Sequence, residues 1–308
     1  MVQRGAFLLM AAALVLGISR IPAPAPAPEP SAPDDVVYVY NGYAAKTDAA
    51  FDTDSLDRAA YRFRHLYDLY FTGRTIFLAV VPDKAQFTVP PEGYTPAGAA
   101  ETADDLCGAL DFLTPVDIAG ELTLTDYYHT DPHWRQEQLR PVADTLLTAM
   151  GAPVPDTREE SLCALEGAFH GSYWGKTEEP LEPDTLSYLT SPVLEGCTVH
   201  NYETDTDGGV YDFTAAQDAP YDLFLSGSRS LLRIDSPDAL SDRTLVVFRD
   251  SFGSSIIPLL AESYRTVYAV DIRYLASDRL GRVVDFPDDA DVLLLYSTTV
   301  LHNSITLK

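Results

Sequence analysis

The chain has 308 residues, enough for one large α/β domain or for two small ones. It carries 21 Lys and Arg against 46 Asp and Glu, which gives a formal net charge of −25. The acidic residues are spread along the chain, and this argues against the basic surface that nucleic acid or anionic lipid requires. We therefore expect no nucleic-acid partner.

The N-terminal segment has the pattern of an export signal. Arg4 precedes an apolar run over residues 6–18, which is shorter than the roughly 20 residues of a membrane-spanning helix. Residues 1–20 are therefore predicted to be a signal peptide or an uncleaved signal anchor. Residues 21–34 are rich in alternating Ala and Pro, which is typical of a stiff, extended spacer. We expect a protein that is secreted or anchored in the cell envelope, with its folded domain over residues 35–308.

Strand and helix patterns alternate in the first part of this domain. Apolar runs predict strands at residues 36–40, 76–81 and 116–118. Apolar residues at three- and four-residue spacings predict helices at residues 54–70, near 97–113 and at 136–150, the last with a kink at Pro141.

The pattern weakens over residues 151–220, which are rich in Pro, Thr, Asp and Glu, and we predict an irregular insertion there. Further strands are predicted at residues 222–225, 245–249, 267–272 and 292–296. Strands that alternate with helices predict an α/β fold with a doubly wound, mainly parallel sheet. A ligand site is expected at the carboxyl ends of the strands, where Ser251, Arg273 and Ser297 lie.

Ser251 is a candidate nucleophile because it lies at a sharp turn between an apolar strand and a helix. A serine at such a turn has an exposed hydroxyl group, and the free N–H groups of the helix start can stabilise an oxyanion nearby. Serine is also a favoured residue just before a helix, and this capping role is compatible with catalysis.

Asp131 and His133 are candidate partners of that serine. In an extended chain, side chains two residues apart lie on one face, and Pro132 favours an extended conformation for the residue before it. The carboxylate can then hold one imidazole nitrogen while the other nitrogen accepts the serine proton. We predict Ser251 as nucleophile, His133 as general base and then acid, and Asp131 as the orienting carboxylate.

A metal site is the alternative use of the same segment, since His129, Asp131 and His133 could present three ligands on one strand face. No fourth ligand is evident, so no metal and no cofactor are expected. The 203–208 stretch resembles the start of a calcium loop, but it has Thr214 where the bidentate Glu should be.

Three further observations concern the surroundings of the site and the cysteines. Arg273 follows an apolar strand and is predicted to position the substrate or an aspartate, since a buried guanidinium requires an anionic partner. Tyr128 and Trp134 could line a sugar platform, although aromatic residues beside a buried motif more often pack in the core. Three cysteines permit at most one disulfide, for which Cys163 and Cys197 are the preferred pair.

The ordered set of these segments resembles the DHHW family of exported bacterial proteins. This family is related to the alginate O-acetylation proteins within the SGNH-hydrolase-like group. Its Asp-His-His-Trp motif is matched by Asp131-Pro132-His133-Trp134, with proline at the second position. The other matching segments are Val81-Pro82-Asp83-Lys84, Gly171-Ser172-Tyr173, Phe224-Leu225-Ser226-Gly227, Asp250-Ser251-Phe252 and Val270-Asp271-Ile272-Arg273-Tyr274. The resemblance extends from about residue 36 to the C-terminus.

The resemblance implies an SGNH-like α/β domain in which the Asp-x-His pair precedes the serine. It implies acyl-ester chemistry on an extracellular polysaccharide, beside a membrane-bound O-acyltransferase as the acyl donor, and oxyanion binding by the N–H groups of Gly227 and Ser228. The expected function is O-acyl transfer, with acetyl favoured, or acetyl-ester hydrolysis. The alternative is a non-catalytic glycan-binding or assembly subunit of an acylation complex, which Pro132 in place of the family's histidine favours.

Overall fold

The computed structural model describes residues 36–308. The predicted signal segment, residues 1–20, and the predicted spacer, residues 21–34, lie outside the described residues. Within the described part of the chain, no helix is both long enough and apolar enough to cross a bilayer.

The strands of residues 36–308 are β1 (Val37–Tyr40), β2 (Tyr43–Lys46), β3 (Ile76–Val81), β4 (Leu113–Pro115), β5 (Ser161–Ala164), β6 (Ser187–Thr190), β7 (Thr198–Asn201), β8 (Thr206–Gly208), β9 (Leu231–Asp235), β10 (Thr244–Arg249), β11 (Thr266–Val270) and β12 (Asp291–Ser297). The α-helices are α1 (Thr53–Leu66), α2 (Ala99–Ala109), α3 (Arg140–Ala149), α4 (Pro192–Gly196), α5 (Ala215–Asp218), α6 (Gly253–Ala261) and α7 (Thr298–Leu301). A π-helical turn, Tyr67–Phe71, continues α1.

Eight strands form one mixed sheet in the order β4-β3-β12-β10-β11-β9-β7-β8. The five strands from β4 to β11 are parallel, and the three strands from β9 to β8 are antiparallel. At the centre, Val247 of β10 is in register with Ala269 of β11 and Leu293 of β12. The predicted α/β fold with a mainly parallel sheet is thus confirmed.

The two faces of the sheet bury two separate cores because alternate residues of each strand point to opposite sides. Leu245 and Val247 of β10 face a core that includes residues of α3 and α6. Val246 and Phe248 face the other core, which includes residues of α1 and α2. Strands buried on both faces explain the continuous apolar runs in the sequence.

Several predicted elements differ from the structure in the first half of the domain. Within residues 36–308, the first predicted strand pairs with β2 alone, in a hairpin whose turn residues Asn41 and Gly42 both have positive φ. The short strand predicted at residues 116–118 lies at 113–115, and Val116 and Ile118 enter the core from the loop that follows. Pro141 lies in the first turn of α3, where the N–H that proline lacks would have no partner within the helix, so the expected cause of a kink is missing.

Part of the predicted insertion, residues 151–220, belongs to the eight-stranded sheet. Its strands β7 and β8 form the antiparallel edge, whereas β5 and β6 make a separate hairpin. The strand predicted at residues 222–225 is wrong: a 3₁₀ turn, Pro220–Leu223, precedes Leu225, Ser226 and Gly227, which all have positive φ. Extended strand geometry requires negative φ, so this apolar segment is a buried loop. Strand β9, which lies ten positions or so further on, was not predicted.

Candidate active site

The turn between β10 and α6 positions Ser251 at the carboxyl end of the sheet, as predicted. Helix α6 lies very close to the strand end at Gly253. A Cβ atom at Gly253 would be 2.7 Å from the Cβ of Arg249, closer than packed carbon atoms approach. Only glycine therefore permits this sharp turn without a shift of the helix.

Asp250 fixes the same turn through its carboxylate. One oxygen, Oδ1, accepts the N–H of Phe252 at 3.0 Å. The other, Oδ2, accepts the N–H of Ser297 at 2.8 Å and its hydroxyl at 2.7 Å. Asp250 thus connects the turn that carries Ser251 to the end of the neighbouring strand β12.

Ser251, His133 and Asp131 form one hydrogen-bonded chain, in the arrangement that the spacing of Asp131 and His133 predicts. The His133 Nε2 atom lies 2.8 Å from the Ser251 Oγ atom, and the His133 Nδ1 atom lies 2.5 Å from the Asp131 Oδ1 atom. Both contacts are satisfied by the tautomer in which Nδ1–H donates to Asp131 and Nε2 accepts the hydroxyl hydrogen of Ser251. This is the geometry of a serine nucleophile with its base and orienting carboxylate.

Asp131 is held in its ionised form. Burial alone would raise its pKa, but the charge and hydrogen bond of His133 and the N–H groups of Ser172 and His133 outweigh this effect and lower the pKa of Asp131 to about 2. The Ser172 N–H donates to Asp131 Oδ2 at 2.8 Å, and the His133 N–H donates to Oδ1 at 3.1 Å. The carboxylate can therefore orient the imidazole without taking its proton.

A second aspartate, Asp184, fixes the chain just before Asp131. Its carboxylate accepts the N–H of His129 and the N–H of Thr130, both at 2.8 Å, and the Thr130 hydroxyl at 2.6 Å. The His129 ring also contacts Asp184, at 2.9 Å from Nδ1 to Oδ1, and stacks on Tyr43. His129 is thus separated from the Asp131–His133 pair, and no group of three or more potential metal ligands occurs in residues 36–308.

The predicted oxyanion donors need one correction. The N–H of Gly227 already donates to the carbonyl of Phe224 at 3.0 Å, so it is not free to bind an oxyanion. The Gly227 carbonyl accepts from the buried Arg249 Nη2 at 3.1 Å, and in a trans peptide the Ser228 N–H then points the opposite way. Within the described residues, the N–H groups of Ser228 and Ser251 donate to no protein acceptor. These two groups are the candidate oxyanion donors.

Arg249 was not predicted to be a site residue. Its side chain links the two segments that carry these candidate donors. Its side chain is fully buried, and its Nη1 donates to the Asp250 carbonyl at 3.2 Å and to the Ser254 hydroxyl at 2.8 Å. Burial lowers the pKa of this guanidinium. Arg249 thereby holds the Gly227 loop against the turn that carries Ser251.

Trp134 and Tyr128 are core residues, so their predicted place in a sugar platform is wrong. Both side chains are inaccessible to solvent. The Trp134 indole donates to the Phe252 carbonyl at 3.1 Å and to the Ser255 hydroxyl at 2.9 Å. Tyr128 packs its ring edge-on against Phe169. These aromatic residues support the site from beneath and cannot contact a bound glycan directly.

Arg273 has an aspartate partner, but this partner lies outside the triad. Its Nε and Nη2 atoms contact the two carboxylate oxygens of the fully buried Asp271 at 2.9 and 2.7 Å. The predicted positioning role therefore concerns Asp271.

The preferred disulfide is wrong, because Cys163 and Cys197, like Cys107, are free thiols. Cys197 Sγ instead donates to the Val193 carbonyl at 3.3 Å.

Tyr221 is a site residue that the sequence pattern concealed. Its ring stacks on the His133 imidazole with a centroid distance of 4.0 Å and an interplanar angle of 15°. Its hydroxyl contacts the Ser255 hydroxyl at 3.0 Å. Tyr221 therefore limits rotation of the imidazole and covers one of its faces, but nothing in the surrounding sequence distinguishes it from the other tyrosines.

The mainly parallel sheet, with Ser251, His133 and Asp131 at the carboxyl ends of its strands, is an SGNH-like α/β fold. The fold is shared with a DHHW family protein from Eubacterium siraeum, with a TM-score of 0.66 and 20% identity over 88% of this chain and 95% of that chain. It is shared with Bacillus cereus PatB1, with a TM-score of 0.64 and 16% identity over 87% and 97% of the two chains.

The O-acetyltransferase domain of Pseudomonas putida AlgJ is a third solved structure with this fold. Its TM-score is 0.50, at 13% identity over 87% of this chain and 92% of that chain. No protein-family model and no curated protein sequence matches the chain. The fold is thus the one that the resemblance in the sequence predicted.

Proposed function

We propose that this protein is an exported, serine-dependent O-acyltransferase that moves acetyl groups to a cell-surface or extracellular polysaccharide. The observation that carries the proposal is the position of the His133 imidazole, 2.8 Å from the Ser251 hydroxyl and 2.5 Å from the Asp131 carboxylate. Such a chain turns a serine into a nucleophile at neutral pH. Hydrolysis of acetyl esters is the same chemistry with water as the acceptor.

In the first half-reaction, Ser251 Oγ attacks the acyl carbonyl carbon of the donor while its proton passes to His133 Nε2. Asp131 keeps the imidazole in position and stabilises the imidazolium. The N–H groups of Ser251 and Ser228 stabilise the negative oxygen of the tetrahedral intermediate. The bond to the leaving oxygen then breaks, this oxygen takes the proton from His133, and the acyl group stays on Ser251.

In the second half-reaction, a sugar hydroxyl replaces the donor. It loses its proton to His133 Nε2 and attacks the acyl-serine carbonyl carbon. When the intermediate collapses, the Ser251 oxygen leaves and takes the proton back from His133. The acetyl group is now an ester of the sugar, and the enzyme has returned to its starting state. Water in place of the sugar hydroxyl would give acetate.

Two solved structures with this fold support the choice of chemistry. One is the O-acetyltransferase domain of AlgJ, and PatB1 has also been solved with a sulfonyl adduct. By the same analogy, the proposed acyl donor is a membrane-bound O-acyltransferase. The predicted export signal at residues 1–20 would place the domain where such a donor and an extracellular glycan meet.

The test is covalent labelling of the purified protein with a fluorophosphonate, followed by peptide mapping. We expect one label on Ser251, lost in Ser251→Ala and kept in Ser161→Ala, a matched serine on strand β5. Incubation with 4-nitrophenyl acetate and cello-oligosaccharides, analysed by mass spectrometry, then distinguishes acetylated sugar from free acetate. An unlabelled wild-type protein with no turnover of any acetyl ester would contradict the proposal and favour a non-catalytic glycan-binding subunit.

A further inference from the structure

Lys84 is a buried cation directly beneath the Asp-x-His segment. It follows strand β3 at the Pro82–Asp83 turn, and only 1% of the residue is exposed. Its Nζ atom donates to the carbonyl of Tyr128 and to the carbonyl of Asp131, both at 2.8 Å. These two carbonyls bracket the chain that leads into the catalytic pair, so one ammonium group fixes both ends of it.

The same ammonium group also lies near the loop that supports Asp131 from the other side. Lys84 Nζ is 5.4 Å from the centre of the Tyr173 ring, within the range of a cation–π contact. The neighbouring Ser172 donates its N–H to Asp131 Oδ2. Lys84 therefore contacts two carbonyl oxygens and a ring face. Its positive charge also interacts electrostatically with the carboxylates of Asp131, Asp83 and Asp184.

We propose that Lys84 is a positioning residue of the triad, which holds Asp131 in place through the two backbone carbonyls and stabilises its charged form. The inference rests on the proposed function, since its consequence is the reactivity of Ser251. A neutral hydrogen-bond donor at this position could fix the two carbonyls, whereas the ammonium charge of Lys84 also adds to the stabilisation that His133 and the Ser172 N–H give the Asp131 carboxylate. Asp131 can then orient His133 and does not accept its proton.

The charges around Lys84 make this role dependent on pH. Burial lowers the pKa of Lys84 to about 8, and the carboxylates of Asp131, Asp83 and Asp184 oppose this shift. Burial raises the pKa of Asp83 to about 6. Above pH 8 the Lys84 amine is neutral and its hydrogen bonds to the two carbonyls weaken. We therefore expect the Asp131–His133 contact to loosen in alkaline solution.

The experiment compares the full-length wild-type protein with Lys84→Met, and with Lys176→Met, in which the substituted control lysine is exposed. One readout is the rate of fluorophosphonate labelling from pH 6 to 10, corrected for the hydroxide sensitivity of the reagent. The other is the ¹⁵N chemical shifts of the His133 ring, which report its tautomer and are assigned by their loss in His133→Ala. Near-ultraviolet circular dichroism shows whether each variant is folded.

We expect Lys84→Met to label at least about tenfold more slowly than the wild type, because both hydrogen bonds from the ammonium group to the carbonyls of Tyr128 and Asp131 are lost. The wild-type rate should fall above pH 8, and Lys84→Met should lack this fall. The Nδ1–H tautomer should lose population in the variant at pH 7 and in the wild type above pH 8. Lys176→Met should match the wild type throughout.

A folded Lys84→Met that keeps the wild-type labelling rate and the wild-type tautomer would overturn the inference. If Lys84→Met does not fold, the wild-type protein alone still tests the inference. A His133 tautomer ratio that stays constant from pH 7 to 10 in the wild type would contradict a role for the ammonium charge. If the wild type is not labelled at all, the proposed function fails, while the tautomer measurement still decides the role of Lys84.

Discussion

The indole nitrogen of Trp134 donates a hydrogen bond of 3.1 Å to the carbonyl oxygen of Phe252. The residue after His133 is thereby bonded to the residue after Ser251, although 118 positions separate the two partners in the chain. A second bond from the same nitrogen reaches the Ser255 hydroxyl in α6. The distance between His133 and Ser251 is thus fixed by a buried contact between the residues that follow them.

This contact predicts that Trp134→Phe destabilises the protein and lowers its turnover of acetyl esters. The substitution removes two buried hydrogen bonds and leaves a small cavity, so the free energy of unfolding should fall by about 2–4 kcal/mol. The exposed Trp174 offers a matched control, and Trp174→Phe should change stability by less than about 0.5 kcal/mol. Urea unfolding of both variants provides the comparison, and equal stabilities would contradict a structural role for the indole N–H.

The triad predicts that losses of activity are not additive. Ser251→Ala and His133→Ala should each lower the turnover of 4-nitrophenyl acetate by a factor of about 10⁴ or more, because the Ser251 hydroxyl attacks the ester only when His133 takes its proton. The double variant should be no worse than the poorer single variant by more than a few fold. Turnover rates that multiply across the two substitutions would mean that the residues act independently.

The lowered pKa of Asp131 predicts a specific loss of stability in acid. The folded-state pKa of about 2 lies below the ordinary value of 3.8, so the carboxylate stabilises the folded state fully above about pH 4 and loses this effect as pH falls through 2. The shift corresponds to about 2 kcal/mol. Denaturant unfolding at pH 6 and pH 2 should show this loss in the wild type and a correspondingly smaller loss in Asp131→Asn. Equal losses in both proteins would show that Asp131 is not stabilised by its neighbours.

The close approach at Gly253 predicts opposite effects of alanine at two helical glycines. Gly253→Ala would force its Cβ to within 2.7 Å of the Arg249 side chain, so α6 must shift and stability should fall by about 1–3 kcal/mol. Gly108→Ala in helix α2 meets no atom within 4 Å and should stabilise the protein by about 0.5–1 kcal/mol. Thermal unfolding of the two variants tests both signs. A neutral Gly253→Ala would mean that the turn at Ser251 tolerates a side chain.

Several features of this protein follow from local sequence alone. The strands β3, β10, β11 and β12 are apolar on both faces, so they can be predicted as a buried parallel core without knowledge of their neighbours. The Asp131–His133 contact also has a local cause, because side chains two residues apart in extended chain lie on the same side. Ser251 could also be predicted from local sequence, because it lies where a strand pattern changes to a helix pattern.

Tertiary contacts decided the rest of the site. The N–H of Gly227 is occupied because the preceding residues adopt positive φ, a conformation that their apolar side chains do not predict. Tyr221 stacks on His133, and Lys84 holds the Asp131 carbonyl, across separations of tens of residues. Local periodicity determines which face of an element is buried, whereas the partner of a buried polar group depends on which distant segment the fold brings to it.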